Sequence, residues 1–494
     1  MNLKHEYDEL TYSEKYLTHL CKDTFLNLWS WPHVYRNQRW DGGEGKEVCD
    51  LLVVFDNNII IFSDKYCRFP DTGDLTLDWC RWFKKAVYKS AKQIWGAERL
   101  IRKYSDKLYI DKDCTTPFPI PLPNPDHAFF HRIVVAHGCS NRCQNYLGGT
   151  GSLMINPNII GNDHYDINSG TVMPFTVGRL SINKGFVHIL DDFTLDIVLQ
   201  TVDTITDFTN YLTKKQKFFE SGKLGMAAGE EDLLASYFLE MNEAGEHDFR
   251  YPKDADLIVL EDGFWINFKK NPDRLAQIKA DKISYAWDRL IDKFSKHVLD
   301  NTLYLPSHTE VSDHEIGLRL LAREPRTRRR MLARSLLAII ERAEVETRSA
   351  RVVVGTTAQE PYYVFLSLDR RTDISLDEYR VVRGNLLRNY CLAAKAKFPR
   401  AEQIVGVATE PMRYESRSED LIYIDAKEWT KKDQEEAERV RKEYNLLMKT
   451  KMHESVEDEF PRLQMEKYRK GRSRNKPCFC GSGKKYKKCC GRFQ

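Results

Sequence analysis

The sequence predicts a multidomain chain of the mixed α/β (α+β) class. Three observations carry this prediction. Strand-sized apolar runs alternate with segments of helical periodicity. The length is 494 residues, which at roughly 100–200 residues per domain implies about three domains. Hydrophobic residues make up 42% and charged residues 30%, ordinary values for a chain that buries more than one core. That composition excludes a collagen-like or disordered chain. No run approaches the ~18 apolar residues that span a bilayer. The charged opening MNLKHEYDELTYSEKY lacks the apolar core of a secretory signal. The expected setting is therefore cytoplasmic, with no membrane partner.

The elements follow in order. Residues 5–29 have helical spacing of Leu10, Leu17, Leu20, Phe25 and Leu28. A glycine-rich polar turn at 37–45 leads into two apolar runs, 48–55 and 59–62, separated by Asp56, Asn57 and Asn58. That pattern is a β-hairpin. Residues 77–106 are helical again. Five prolines within 114–126 mark a boundary or rigid connector. Strands are expected at 132–136 and 153–155, and mostly helix over 190–240. Residues 256–270 read as a second hairpin around Glu261, Asp262 and Gly263. Helix covers 272–301, and basic helix covers 313–346, broken at Pro325. An α/β segment then has strands at 351–354, 362–368, 403–407 and 420–424 and a helix at 376–396. Residues 427–450 form a charged helix, expected as a solvated stalk.

Charge and cysteine are uneven. Residues 465–494 hold eleven Lys or Arg and one acid, so the remainder of the +4 chain sums to −6. The body is not a basic clamp, whereas the tail is a local polycation. Eight cysteines are scattered, expected as reduced thiols. The other four, Cys478, Cys480, Cys489 and Cys490, crowd the tail PCFCGSGKKYKKCCGRF. Four thiolates at this spacing suit one tetrahedral Zn²⁺. Gly481 and Gly483 allow the turn between the pairs, and the surrounding lysines favour thiolate. So short a module couples folding to metal binding. The pattern resembles the SEC-C motif, the zinc-binding tail of the SecA translocation ATPase. The resemblance covers about twenty residues. It implies a docking module for a protein or ribosome, with Cys490 as fourth ligand. The rest of the chain does not look like SecA.

The second signal is GEGKEVCDLLVVFDNNIIIFSDK, residues 43–65. Asp50 opens one apolar strand, and the next ends in Ser63, Asp64 and Lys65. Residues 63 and 65 share a strand face. Metal-dependent phosphodiester cleavage needs carboxylates to hold Mg²⁺ or Mn²⁺ and a lysine to stabilise developing charge. The helix–hairpin–helix order resembles the PD-(D/E)XK nuclease superfamily, which includes restriction endonucleases and NERD-type domains. The resemblance implies a restriction-endonuclease-like α-β-β-α core. Asp50 matches its first acid and Lys65 its lysine. Ser63 stands where the middle acid is expected. Asp64 faces the other way unless a bulge re-aims it. Glu47, Glu14 or Glu98 is then a replacement ligand, and Gln93 matches an auxiliary polar position. In this reading Asp50 holds metal, Lys65 stabilises the pentacovalent phosphorane, and Glu47 or Asp64 completes the site. The basic, aromatic helix that follows, with Trp79, Arg81, Trp82, Lys84, Lys85, Lys89 and Lys92, tracks a phosphate backbone.

Other constellations are weaker. Gly148, Gly149 and Gly151 form a turn rather than a phosphate loop. Cys139 and Cys143 read as core thiols. Asp191, Asp192, Asp196, Asp203 and Asp207 form a solvated helix face. The Arg326–Arg334 cluster either contacts phosphates or lies on a surface helix. Expected domains are a nuclease-like domain at 1–113, a middle α/β region of unknown role at 127–310 and a basic helical plus second α/β segment at 311–426. A charged linker at 427–463 and the small zinc module at 464–494 complete the chain. The leading expectation is a metal-dependent nuclease, or a nuclease-derived nucleic-acid-binding protein. Such a protein would suit bacterial defence against foreign DNA, with its tail recruiting a protein partner. The rival is a non-enzymatic adaptor binding a ribosome, chaperone or other protein through the tail, which the missing acid at Ser63 favours.

Overall fold

A capping box starts the first helix. The computed structural model describes residues 11–37, 45–243, 245–249, 251, 254–299, 311–341, 345, 347–448, 451–452, 454, 457–461, 474–476 and 484–488. In it the Glu14 N–H donates to the Thr11 hydroxyl, and the Thr11 N–H donates to the Glu14 carboxylate at 2.7 Å. Helix α1 (Tyr12–Phe25) follows, burying Leu17, Leu20, Cys21 and Phe25. It stops where Leu26 takes a positive φ of 66°.

The chain divides into two units, Met1–Asn271 and Pro272–Gln494. In the first, α1 is followed by β1 (Ser30–Asn37), β2 (Gly45–Phe55), β3 (Asn58–Tyr66), α2 (Leu75–Phe83) and α3 (Lys89–Lys103). Next come β4 (Phe129–His137), α4 (Ser140–Leu147), β5 (Met154–Ile160), β6 (Thr176–Arg179) and β7 (Val187–Asp191). Then follow α5 (Thr194–Thr201), α6 (Ile205–Glu220), β8 (Leu224–Ala227), α7 (Glu230–Leu239), β9 (Ile258–Leu260) and α8 (Phe264–Lys270).

The hairpin β2–β3 organises this unit. Residues 51–55 and 59–62 are all buried, each large apolar side chain stabilising by about 1.5–3 kcal/mol. A sheet buried on both faces reads as continuous apolar runs, as these do. The sheet order is β1-β2-β3-β4-β7. β1, β2 and β3 pair antiparallel, while β4 and β7 join parallel. The proline-rich stretch 114–126 therefore connects two strands of one sheet and does not separate domains. Strand β1 was not foreseen. Pro32 argues against a central strand, but β1 is an edge, where proline is tolerated. A smaller sheet has the order β6-β5-β8-β9.

The expected hairpin over 256–270 is instead β9 followed by α8. Gly263 takes φ 106°, and the Asp232 carboxylate accepts the Trp265 N–H at 2.8 Å. The Asp232 carboxylate on α7 thus satisfies an N-terminal donor of α8, a partner distant in sequence.

The second unit contains α9 (Pro272–Asp281), α10 (Tyr285–Leu299), α11 (Val311–Arg323), α12 (Arg326–Glu341), β10 (Arg348–Val353) and β11 (Tyr362–Leu368). It continues with α13 (Leu376–Lys397), β12 (Gln403–Thr409), β13 (Glu419–Asp425) and α14 (Lys431–Glu443). The break at Pro325 is present between α11 and α12. The sheet order is β10-β11-β12-β13, with only β11 and β12 parallel. Its core joins Tyr362, Val364, Leu366, Leu387, Cys391 and Ile404. Helix α14 is no free stalk, because Ala437 and Val440 pack on Leu392 and Ala396 of α13. The arginine cluster on α12 is largely built into the fold, with Arg328 and Arg334 half-buried. Arg329 and Arg330 are fully buried. Arg326 and Arg329 share Asp288 at 2.6 and 2.7 Å, and Arg330 reaches Asp281 at 3.1 Å and Glu457 at 2.8 Å. Among the described residues, no helix is long and apolar enough to cross a membrane.

Candidate functional site

Strand register assembles the first group. Pro32 pairs with Leu51 and Val34 with Cys49, so His33 falls opposite Asp50. Leu51 and Phe62 form the last pair of β2 with β3, so Asp50 and Ser63 are the next positions along. Beyond that pair the ladder ends, and the Asp50 carboxylate accepts the Asp64 N–H at 2.6 Å. His33, Asp50 and Ser63 thus form a row across three strands, with Lys65 further along the same face of β3. A bulge between Val34 and Tyr35 brings Glu47 opposite Tyr35. The extra residue turns Glu47 to the face of His33, and the His33 ring contacts the Glu47 carboxylate. His33 holds a φ of 47°, a conformation that costs energy for a non-glycine residue.

The electrostatics follow from burial. Burial pushes the Asp50 carboxyl up to about 7, with the charges of Glu47, Glu14 and Asp64 adding to the rise against the Asp64 N–H. For His33, burial disfavours the charged ring, but the Glu47 hydrogen bond and the Glu47, Glu14 and Asp50 charges prevail and raise its pKa. The Ser63 hydroxyl is buried and has no hydrogen-bond partner among the described residues. Lys65 is exposed.

The remaining expected residues go elsewhere. Asp64 points to the opposite face, where its carboxylate meets His137 Nε2 at 2.7 Å. His137 Nδ1 meets Asp192 at 2.9 Å. Asp192 also accepts the Gly138 N–H at 2.8 Å and the Ser140 hydroxyl at 3.1 Å. Burial opposes the charge on His137, yet its hydrogen bonds to Asp192 and Asp64 push it up to about 10. His137 is therefore a fixed cation tying β3 and β4 to the end of β7. Glu98 is taken by Arg132 and Arg102, and burial of its carboxylate is outweighed by those partners, which hold its pKa low. It is not a replacement ligand. Gln93 is exposed on α3.

Among the described residues, no group of three or more His, Cys, Asp or Glu side chains is placed to hold a metal ion. Asp50 and Glu47 each already have a partner, Glu14 is held by Thr11 in the capping box of α1, Ser63 supplies no charge, and Asp64 is turned away. This donor set does not fit Mg²⁺ or Mn²⁺. Sequence reasoning missed His33 and His137. The first lies in a strand masked by Pro32, and the second needs the parallel pairing of β3 with β4.

Other sequence candidates resolve into structure. Gly148–Gly151 is a turn before β5, and Thr150 and Ser152 donate to Glu231. Cys139 and Cys143 are buried thiols. Asp191 is buried and accepts from Leu153, Phe193 and Thr194. Asp196 accepts from Tyr16 at 2.6 Å, and Asp207 from the Thr204 hydroxyl at 2.6 Å. These acids are not a simple solvated face. Cys478, Cys480, Cys489 and Cys490 lie outside the described residues. Their neighbours are described: Tyr486 is buried, and its N–H donates to the Lys476 carbonyl at 3.0 Å.

Comparison with known proteins bears on this tail. Residues 474–492 match the SEC-C motif. The chain is 44% identical over 59 residues to the protein translocase subunit SecA of Geobacter sulfurreducens, covering 12% of this chain and 7% of that protein. It is 42% identical over 60 residues to SecA of Trichlorobacter lovleyi, covering 12% and 6%. The chain thus spans less than a tenth of the length of these relatives. No solved structure gives a significant match. The chain carries a SEC-C motif at its C-terminal end.

Proposed function

We propose that the first unit is a nucleic-acid-binding module of nuclease type, joined to a zinc-binding SEC-C tail that docks the protein to its partner. The observation that carries the reading is the row of His33, Asp50 and Ser63 at the point where β2 and β3 cease to pair, with Lys65 exposed beyond it. The order α1-β1-β2-β3, crossover helices, then β4 parallel to β3 is compatible with the α-β-β-α core implied by the PD-(D/E)XK resemblance. Because the donor set does not fit a divalent ion, the reading is binding without metal-dependent cleavage. Lys65 supplies a cation for a phosphate, and Asp50 and His33 shape the edge beside it. A role in defence against foreign DNA belongs to the same proposal.

For the tail, the SEC-C match and the chemistry of four thiolates support zinc held by Cys478, Cys480, Cys489 and Cys490. The Tyr486–Lys476 hydrogen bond draws together the backbone just before each cysteine pair. Bound zinc would supply the fold of the tail.

The test is incubation of the full chain with plasmid, single-stranded DNA and RNA, in Mg²⁺ and then Mn²⁺, beside Asp50→Ala and Lys65→Ala. Binding without cleavage, weakened in Lys65→Ala, is expected. Cleavage lost in both variants would replace the binding reading with an active nuclease. No binding to any of the three would leave an adaptor acting through its tail.

A further inference from the structure

Helix α2 does not run smoothly into α3. Residues Lys84–Tyr88 form a π-helical turn in which the Lys89 N–H donates to the Lys84 carbonyl, five residues back. In a regular α-helix, positions five apart lie about 140° from one another around the axis. The wider turn stacks them instead. Ala86 and Val87 stay buried on the inner side, while Lys84, Lys89 and Lys92 come out on one exposed side.

Tyr165 closes that side. Its ring lies 5.1 Å from Tyr88, centroid to centroid, and its hydroxyl donates to Asn162 at 2.6 Å, which fixes the ring. The result is an open pocket of about 360 Å³ lined by Lys84, Tyr88, Lys89, Lys92 and Tyr165. Lys84 sits 5.0 Å from the Tyr165 ring centre and Lys92 4.5 Å from that of Tyr88. Among the described residues, none of the three lysines is in an ion pair. Lys84 and Lys92 thus have only a ring face for a partner, and Lys89 has neither ring nor acid among the described residues, so three cations line one pocket with no carboxylate in its lining.

Resting on the nucleic-acid reading above, we infer that this pocket binds one nucleotide unit of a single strand. Its base stacks on Tyr165, which Tyr88 backs, and its flanking phosphates meet Lys84, Lys89 and Lys92. The volume is at the low end for small-ligand sites, roughly 300–1,000 Å³, which suits a single unit. The two rings are too close to admit a base between them, so the one base stacks on a single ring, Tyr165, with Tyr88 backing it. An acidic peptide would use the lysines but leave the rings idle. Base–aromatic stacking gives sequence-tolerant binding, and the lysines add the phosphate term.

The experiment measures binding of the full chain to a labelled oligothymidylate across a salt series. Lys89→Ala with Lys92→Ala should lower affinity at least tenfold and reduce the salt slope by about 1.4, two phosphate contacts on a single strand. Tyr165→Leu should lower affinity by about tenfold with the slope unchanged. Lys15→Ala with Lys217→Ala, exposed lysines on α1 and α6 outside the pocket, removes the same two charges and should change little. If all pocket variants bind like wild type while Lys65→Ala binds weakly, the pocket inference falls and the nucleic-acid reading stands. If polyglutamate competes as well as the oligonucleotide and Tyr165→Leu has no effect, the ligand is an acidic protein and the inference falls. Wild type that binds no strand overturns both.

Discussion

Asp50 shows what one carboxyl costs when strands close around it. Its pKa is pushed up to about 7, first by burial, while the unfolded chain releases the same proton near 4. Between these values the folded state holds a proton that the unfolded state lacks. Its contribution to stability therefore falls as pH rises through that window, and the penalty is complete above about 7. Asp50→Asn keeps an oxygen to accept the Asp64 N–H and carries no charge. It should stabilise the protein by about 2–4 kcal/mol at pH ~8 and by almost nothing at pH ~4. Urea unfolding at both values checks this. An equal gain at the two pH values would mean that packing, not ionisation, sets the effect. The same residue explains why a buried acid was legible as special but its role was not. Sequence places Asp50 at the head of an apolar run, yet only the register puts His33 and Ser63 beside it.

At the scale of elements, legibility followed the range of the interactions. The β2–β3 hairpin was legible because its apolar runs and the Asp56–Asn58 turn are local. The segment over 376–396 was legible as α13 because it opens with a capping box, Ser375 with Glu378. Strand β1 was not, because its partner supplies the pairing that Pro32 weakens. Helix α8 was not, because the Asp232 carboxylate that accepts its Trp265 N–H lies on α7. The α12 arginines misled for the same reason: their partners Asp281, Asp288 and Glu457 are distant in sequence. Removing one should reveal a structural part. Arg329→Met leaves Asp288 short of a buried partner, which should cost about 3 kcal/mol in chemical unfolding. Oligonucleotide affinity at a temperature where the variant is folded should be unchanged. A variant of full stability with weakened binding would return α12 to the phosphate surface that the sequence suggested.

For the whole molecule, the SEC-C tail and the body separate by chemistry. Of the eight cysteines seen in the body, Cys114 is half-buried and the other seven are buried. Buried thiols react slowly with a disulfide reagent, and burial raises the pKa of several, including Cys143, pushed up to about 12. The native protein as purified should therefore show one fast thiol. If the tail holds zinc, its four thiolates are masked by the metal. A strong chelator should release about one zinc per chain and raise the fast-reacting thiols from one to about five. Far-UV circular dichroism should hardly change, because the apolar cores do not depend on the metal. Cys489→Ser should abolish tight zinc retention and leave three tail thiols fast from the start. Five fast thiols before any chelator, with no zinc by elemental analysis, would mean that the tail docks as a polycation and not as a metal module. Its ten net positive charges would then carry the interaction, and moderate salt would release the partner.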